Sequence, residues 1–347
     1  MKRIELGRSG IEVPDWCLGT MTYGNQTPED DAHRQIDMAL DAGIDFMDCA
    51  EMYPVAPVTK ETVGRSEEIL GNWFAKSGKR DRWTVATKVS GPNGGFVRDG
   101  KGYDGTVIPQ AVDASLKRLQ TDVIDVYQLH WPDRGSYHFR KYWAYDPSKL
   151  DAEAVEAHML DVLRAMDEMV KAGKVRAFAL SNETAWGTAQ WCRLADREGL
   201  PRPASIQNEY SLLCRVFDTD LAETCTAEDV TLLSFSPLGA GLLTGKYQGG
   251  QIPEDSRRAR QEDLGGRITE RVWDAVAAYH AVAQRHGLDP VQMALAWQRS
   301  RPFPISAIFG ARSVEQLERI LGGIDLELSD EVVADIDATH KAHPMPF

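Results

Sequence analysis

The stretch Glu29–Asp48, EDDAHRQIDMALDAGIDFMD, contains one complete unit of a pattern that repeats along the chain. Its first part, Glu29–Ala42, has the apolar spacing of an amphipathic helix. Gly43 follows as a residue type that ends helices, and the apolar run Ile44–Asp48 has the length of a buried strand. The stretch therefore predicts a helix that leads directly into a strand, which is the unit of a parallel sheet.

The same alternation continues along the whole chain. The predicted strands are Cys17–Thr20, Ile44–Asp48, Thr84–Val89, Val123–His130, Val175–Ser181, Ala204–Asn208, Thr231–Ser236 and Ile305–Phe309. The predicted helices are Glu29–Ala42, Ser66–Ala75, Pro109–Leu119, Glu153–Ala172, Thr188–Glu198, Asp218–Ala227, Glu270–His286, Pro290–Arg299 and Ser313–Leu321.

Eight strands that alternate with helices fit two architectures, a closed barrel and an open doubly wound sheet. Eight is the number of parallel strands that closes a barrel. No G-x-G-x-x-G follows the first strand, which argues against a Rossmann site. No change in composition marks a domain boundary. We therefore predict an α/β fold, a (β/α)8 TIM barrel, in a single domain over residues 1–347.

Segments outside this repeat are predicted to close one end of the barrel and to line the other. The short strands Arg3–Leu6 and Glu12–Pro14 predict an N-terminal hairpin that caps the barrel. Long loops follow the third, fourth and seventh predicted strands, and loops after strands form the active-site face of a barrel. Residues 90–108 include six glycines, and residues 131–147 include six aromatic residues. These loops predict a mobile lid and an aromatic substrate wall.

Composition excludes several classes of function. The net charge is −13 without any basic run, so nucleic acid and anionic membrane are unfavourable partners. The five cysteines never form a C-x-x-C pair, which is typical of a reducing compartment. No apolar run reaches the length of a membrane span, and no H-E-x-x-H predicts a metal site. We expect a cytoplasmic protein without a metal.

Polar residues at the ends of three adjacent predicted strands are the candidate catalytic residues. Asp48 ends the second strand, with Tyr53 soon after it; Lys88 lies at the end of the third strand and His130 at the end of the fourth. A phenol is a weak acid at neutral pH, and a nearby ammonium makes its proton easier to give. Asp48 would pair with Lys88, and His130 would donate a hydrogen bond to a carbonyl oxygen. The set predicts proton transfer to that oxygen, with Tyr53 as general acid.

Sequence blocks around these residues resemble the aldo-keto reductase superfamily over essentially the whole chain. They are Gly19–Gly24 (GTMTYG), Asp48-x-Ala50-x-x-Tyr53, Lys88, Leu129–Pro132 (LHWP), Ser181–Thr184 (SNET), Gln207-Asn208, Ser236–Gly239 (SPLG) and Gly245–Tyr247 (GKY). Three more, Ala50–Pro54, Lys88–Pro92 and Ser115–Asp122, are similar to the bacterial Tas-like branch. The resemblance implies a (β/α)8 barrel, NAD(P)H-dependent interconversion of a carbonyl and an alcohol, and the tetrad Asp48, Tyr53, Lys88 and His130.

The resemblance also implies a nicotinamide cofactor site. Its nicotinamide half would comprise Thr20, Met21, Asp48, the carboxamide-binding Ser181, Asn182 and Gln207, and the stacking residue Phe235. The pyrophosphate would lie under a loop that contains Ser236, Pro237, Leu238, Gly239, Ala240, Gly241 and Lys246. The adenosine half would contact Gly310, Arg312, Ser313 and Gln316. Arg319-Ile320 replaces the Glu-Asn pair usual at adenine, and Arg312 at a helix N-terminus favours NADP(H), with NAD(H) as the alternative.

Substrate and direction stay open at this level. Tyr23, Trp131 and Trp143 are the candidate substrate contacts, and an aromatic wall with polar groups suits a sugar or an aromatic aldehyde. One alternative is a cofactor-sensing regulatory subunit with little turnover, like the potassium-channel β subunits that share the fold. His130 argues against it, because those relatives carry a different residue at that position. A second alternative is a physiological sugar or alcohol dehydrogenase. The sequence also leaves a homo-oligomer open.

Overall fold

A computed structural model describes residues 1–347 as a closed barrel of eight parallel strands. An antiparallel hairpin of β1 (Arg3–Glu5) and β2 (Glu12–Pro14) precedes it. The barrel strands are β3 (Trp16–Gly19), β4 (Phe46–Asp48), β5 (Thr84–Val89), β6 (Ile124–Leu129), β7 (Val175–Ser181), β8 (Ser205–Glu209), β9 (Thr231–Phe235) and β10 (Ile305–Phe309). Each pairs with the next, and β10 closes the barrel against β3. The predicted (β/α)8 barrel is confirmed.

Helices surround the strands. They are α1 (Glu29–Asp41), α2 (Arg65–Ser77), α3 (Val107–Leu119), α4 (Ala152–Lys171), α5 (Ala185–Glu198), α6 (Asp220–Ala227), α7 (Arg257–Arg260), α8 (Val272–Arg285), α9 (Pro290–Arg299), α10 (Val314–Leu321) and α11 (Asp330–Ala342). The long loops follow β5, β6 and β9 as predicted. We call the carboxyl ends of the barrel strands the mouth and their amino ends the floor.

Two helices were absent from the sequence prediction. The four-residue α7 lies within the loop after β9, and α11 follows the last predicted helix. The Ser329 hydroxyl caps α11 by accepting a hydrogen bond from the Val332 amide. Only two of the thirteen α11 residues are buried, so its apolar stripe is narrow. So narrow a stripe gives only a weak helical periodicity, and α11 was therefore not predicted from the sequence.

The core has two layers. Large apolar residues fill the space between the strands and the helices, and a smaller cluster fills the barrel near its floor. Leu6, Ile11 and Val13 from the hairpin region belong to this second cluster, together with Phe46 and Leu233 from the strands. The hairpin thus caps the floor as predicted. All five cysteines are buried and free, and none of the helices has the length and apolar character needed to cross a membrane.

Candidate active site

The four predicted catalytic residues meet at the mouth. Asp48 is the last residue of β4, Lys88 lies in β5, and His130 directly follows β6. The Lys88 ammonium is fully buried and donates to Asp48 Oδ2 at 2.6 Å and to the Cys49 carbonyl at 2.6 Å. It also donates to the Tyr53 hydroxyl at 3.4 Å. A phenol, an ammonium and a carboxylate therefore form one continuous row.

The electrostatics of this row depend on burial. For Lys88, burial favours the neutral amine, but the combined effect of Asp48, Tyr53 and Cys49 is larger and holds the pKa above its usual range, so the ammonium persists. Burial raises the pKa of Tyr53 to about 12, against the opposing charge of Lys88. From the sequence we expected the Lys88 charge to lower this pKa, but burial is the larger effect and the net shift is upwards. Tyr53 is therefore fully protonated at neutral pH.

His130 is a neutral imidazole beside the phenol. Burial, reinforced by the Lys88 charge, lowers its pKa well below the usual range. Its ring meets the Tyr53 ring edge-on, with 5.7 Å between centroids, and its Nδ1 atom is buried without a partner. A neutral imidazole carries one N–H, so His130 can donate one hydrogen bond to an oxygen atom next to the phenol.

Asp48 is held by two glutamines as well as by Lys88. Its Oδ1 atom accepts hydrogen bonds from Gln128 Nε2 at 2.9 Å and from Gln207 Nε2 at 2.7 Å. The Gln207 amide also donates to Gln128 Oε1 at 3.1 Å. Gln207 was predicted to bind a cofactor, whereas Gln128 was not predicted to belong to the site. Its only signal was its place in the same strand end as His130.

The residues predicted to hold a carboxamide form one wall of the site. The backbone of Asn182 is left-handed (φ 52°), and its Nδ2 donates to the His130 carbonyl at 2.9 Å and to Ser181 Oγ at 3.1 Å. Its Oδ1 is buried without a partner. Gln207 donates both of its amide hydrogens, one to Asp48 and one to Gln128. A buried oxygen without a donor is costly, so this wall fits a ligand that donates N–H groups, as a carboxamide does.

Three other predicted cofactor residues have defined places. Thr20 is fully buried, and its hydroxyl donates to the Asp48 carbonyl at 3.0 Å. Met21 is partly buried and packs against the core. Phe235 ends β9 at the mouth and keeps part of its surface exposed. Thr20 is therefore fixed against the end of β4, whereas Phe235 keeps a partly exposed side chain at the mouth.

The loop after β9 gathers cations around a turn. Gly241 has φ 95°, a backbone conformation that L side chains rarely adopt, so the turn requires glycine at this position. Burial and the charges of Arg312 and Arg257 lower the pKa of Lys246. Burial and the neighbouring Arg267 likewise lower the pKa of Arg257 to about 10. Such a group of mutually repelling cations fits a phosphate anion. Arg257 was not predicted as a site residue. Nothing in the sequence of the loop after β9 indicates that α7 folds back towards Lys246.

The predicted adenosine end surrounds the start of α10. Ser313 caps this helix by accepting from the Gln316 amide, and the Gln316 side chain accepts from the Arg312 amide at 3.0 Å. The Arg312 guanidinium has only a distant acidic neighbour, Asp255 at 3.6 Å. Arg319, which replaces the usual acidic residue, pairs with Asp289 at 2.8 Å. Of these two arginines, Arg312 is therefore the one without a close carboxylate partner, and its guanidinium can pair with an anionic ligand.

The three residues predicted to contact the substrate differ in burial and in distance from the catalytic candidates. Tyr23 is fully buried and its hydroxyl donates to Gln35 Oε1 at 3.3 Å, so its prediction as a substrate contact is corrected: the side chain belongs to the core. The Trp131 ring lies against His130 with 4.7 Å between centroids, and its Nε1 donates to the Pro92 carbonyl at 3.1 Å. Trp143 is 61% exposed under the Arg271 guanidinium. Trp131 therefore lies next to the catalytic set, and Trp143 lies at the outer rim.

Two loops are fastened to each other across the mouth. The Glu209 carboxylate at the end of β8 accepts from Arg140 at 2.5 Å and from Arg267 at 2.7 Å. Arg140 belongs to the loop after β6, and Arg267 belongs to the loop after β9. Glu209 therefore links the loop after β6, which we call the aromatic loop (residues 131–147), to the loop after β9.

Comparison with known proteins places this barrel in a family. The family model described as "Aldo/keto reductase family" matches residues 16–341, nearly the whole chain. The chain therefore belongs to the aldo/keto reductase family, as the resemblance indicated.

Relatives refine this placement. The chain is 45% identical to "Protein tas" of Escherichia coli K12, over 100% of this chain and 99% of that protein. It is 31% identical to "Uncharacterized oxidoreductase YrpG" of Bacillus subtilis, over 96% and 94% of the two chains. It is 30% identical to "Probable voltage-gated potassium channel subunit beta" of Arabidopsis thaliana, over 94% and 92%. The similarity to the Tas-like branch is confirmed.

Proposed function

We propose that this chain is an NADP(H)-dependent oxidoreductase that interconverts aldehydes or ketones with alcohols. The observation that carries the proposal is the buried row of Tyr53, Lys88 and Asp48 beside a neutral His130. Family membership and the relative named as an oxidoreductase support the same class. The substrate is a small carbonyl or alcohol compound, and the ring of Trp131 favours an apolar or aromatic substituent next to the carbonyl.

The mechanism assigns one task to each residue. The bound cofactor supplies the hydride. Tyr53 delivers the proton to the carbonyl oxygen, and the Lys88 charge stabilises the phenolate that remains. The Asp48 carboxylate keeps Lys88 charged and in place, and His130 orients the carbonyl by donating a hydrogen bond. In the oxidation direction the Tyr53 phenolate accepts the alcohol proton, so the same residues serve a dehydrogenase.

The cofactor would be held along the wall already described. Asn182 and Gln207 would accept hydrogen bonds from the carboxamide, and Phe235 would stack on the ring. Lys246 and Arg257 would neutralise the pyrophosphate. Arg312 would bind the 2′-phosphate that distinguishes NADP(H) from NAD(H).

The test compares the protein with its Tyr53→Phe variant. We expect tryptophan fluorescence quenching by NADPH in both, and loss of at least about 10²-fold in kcat in the variant, measured by NADPH oxidation with a panel of aldehydes, ketones and sugars. Because the pKa of Tyr53 is raised, reduction by the unaltered protein should hold through neutral pH and fall only in strongly alkaline solution. Oxidation should instead rise with pH as the phenolate forms.

A matched control separates chemistry from packing. Tyr279 on α8 is also buried, with a hydroxyl that has no partner, and it lies outside the site. Tyr279→Phe should keep full turnover. Equal turnover in Tyr53→Phe would reject the mechanism. If the unaltered protein binds NADPH but turns over no substrate of the panel, a regulatory role is favoured instead. The similarity to a protein named as a channel subunit is the reason for this alternative.

A further inference from the structure

Gln128 is a fully buried polar residue at the centre of the site that the mechanism above does not use. Its backbone in β6 is in register with Lys88 of β5, so both side chains point into the barrel. Its amide contacts two residues with different tasks, Asp48 and Gln207. Gln128 therefore connects the proton-transfer row to the carboxamide wall.

The directions of these hydrogen bonds follow from the charge of Asp48. An ionised carboxylate only accepts, so both glutamines must turn their NH₂ groups towards Asp48 Oδ1. The Gln128 oxygen then points away from Asp48 and accepts the second N–H of Gln207. With both hydrogens used, the Gln207 amide can offer only its carbonyl oxygen to a ligand.

We propose that Gln128 is a positioning residue that fixes the Gln207 amide with its oxygen towards the cofactor. The nicotinamide subsite then selects a ring substituent that donates N–H, and it disfavours one that only accepts. Asp48 alone could hold one hydrogen of Gln207, but a single hydrogen bond leaves the amide free to rotate about it. The proposal rests on the proposed function, because it presumes a nicotinamide ring in this place.

Two probes test the direction of the Gln207 amide. NADPH carries a carboxamide with two N–H donors, whereas its 3-acetylpyridine analogue carries an acetyl group that only accepts. From tryptophan fluorescence titrations we expect the unaltered protein to bind NADPH at least about tenfold more tightly than the analogue, since the analogue leaves buried oxygens unpaired. In Gln128→Met, which keeps the chain length without the amide, this ratio should fall to about threefold or less.

A control and a second variant make the result decisive. Gln298 is equally buried, with hydrogen bonds to Ser234 and to the Tyr210 carbonyl, and it touches none of these residues. Gln298→Met should lower stability and leave the ratio unchanged. Gln128→Asn keeps the amide but is too short to reach both partners, so it should give an intermediate ratio, and it decides the question if Gln128→Met does not fold.

The outcomes separate this inference from the function on which it rests. If Gln128→Met or Gln128→Asn keeps the ratio of the unaltered protein, the positioning role is rejected while the reductase stands. If the unaltered protein binds neither nucleotide, the proposed function fails and this inference fails with it.

Discussion

The mouth and the floor of the barrel each hold a buried aspartate paired with cations, and they use it differently. At the floor, Asp125 accepts from Arg80 at 2.8 Å, from Arg176 at 2.6 Å and from the Val85 amide at 2.9 Å. At the mouth, Asp48 has one ammonium and two neutral amides. At the floor the carboxylate faces two guanidinium groups, whereas at the mouth the ammonium that pairs with Asp48 also contacts the Tyr53 phenol.

The two ends also differ in what they leave unpaired. The floor has an open cleft of about 570 Å³, lined in equal number by aspartates and arginines: Asp45, Asp81, Asp125, Arg80, Arg82 and Arg176. The mouth instead keeps two cations, Lys246 and Arg257, without a carboxylate at salt-bridge distance. An excess of positive charge, more than the size of a cleft, therefore distinguishes the mouth as the end that suits an anionic ligand.

The largest effect is expected at Lys88, where one substitution should lower both kcat and the free energy of unfolding. Lys88→Met removes the ammonium that contacts the Tyr53 hydroxyl and leaves Asp48 buried without a countercharge. We expect a loss of about 10²–10⁴-fold in kcat and of about 3–5 kcal/mol in the free energy of unfolding. Turnover assays and urea denaturation measure the two. Lys174→Met, at an exposed pair with Asp113, should change neither, and a fully active Lys88→Met would remove the distinction between the two ends.

A substitution at the floor should have a smaller effect, and it should change only the free energy of unfolding. Asp125→Asn leaves Arg80 and Arg176 without their carboxylate, at a cost of about 1–3 kcal/mol in the free energy of unfolding by urea. Because the site chemistry lies at the other end, kcat and NADPH affinity should stay unchanged. A loss of turnover in the folded variant would show that the floor contributes to the reaction.

The smallest effect tests the unneutralised cations. Arg312→Ala should weaken NADPH binding about tenfold, roughly the value of one charge-assisted contact, and should leave NADH binding nearly unchanged. Fluorescence titration with both nucleotides measures the difference. Arg8→Ala, at an exposed floor pair with Asp229, is the control and should leave both affinities unchanged. Equal losses for NADPH and NADH in Arg312→Ala would mean that this guanidinium does not read the 2′-phosphate.

Much of this arrangement could be predicted from sequence because local signals determine it. The strands Thr84–Val89, Val175–Ser181 and Ile305–Phe309 were predicted to the residue, since each is an apolar run with clear limits. The parallel barrel then brings strand ends together, so Asp48 and Lys88 could be expected to meet before any distance was known.

Other features depend on information that one sequence does not carry. The role of Gln128 follows from its register with Lys88, which no local pattern reveals. Arg257 reaches the cation cluster only because a long loop turns back over the mouth. Tyr23 lies in a motif beside the site, yet its side chain turns away into the core. Helix α11 did carry a signal in its Ser329 cap, but its apolar stripe is too narrow to stand out.

The burial of all five cysteines has a practical consequence for labelling. A thiol-reactive fluorophore should therefore react slowly with the native thiols of the folded protein. A cysteine introduced at an exposed position of the loop after β6, as in Trp143→Cys, should react first and be the main site of attachment. The anisotropy of that dye would report the motion of the aromatic loop as nucleotide is added, without removing any native thiol.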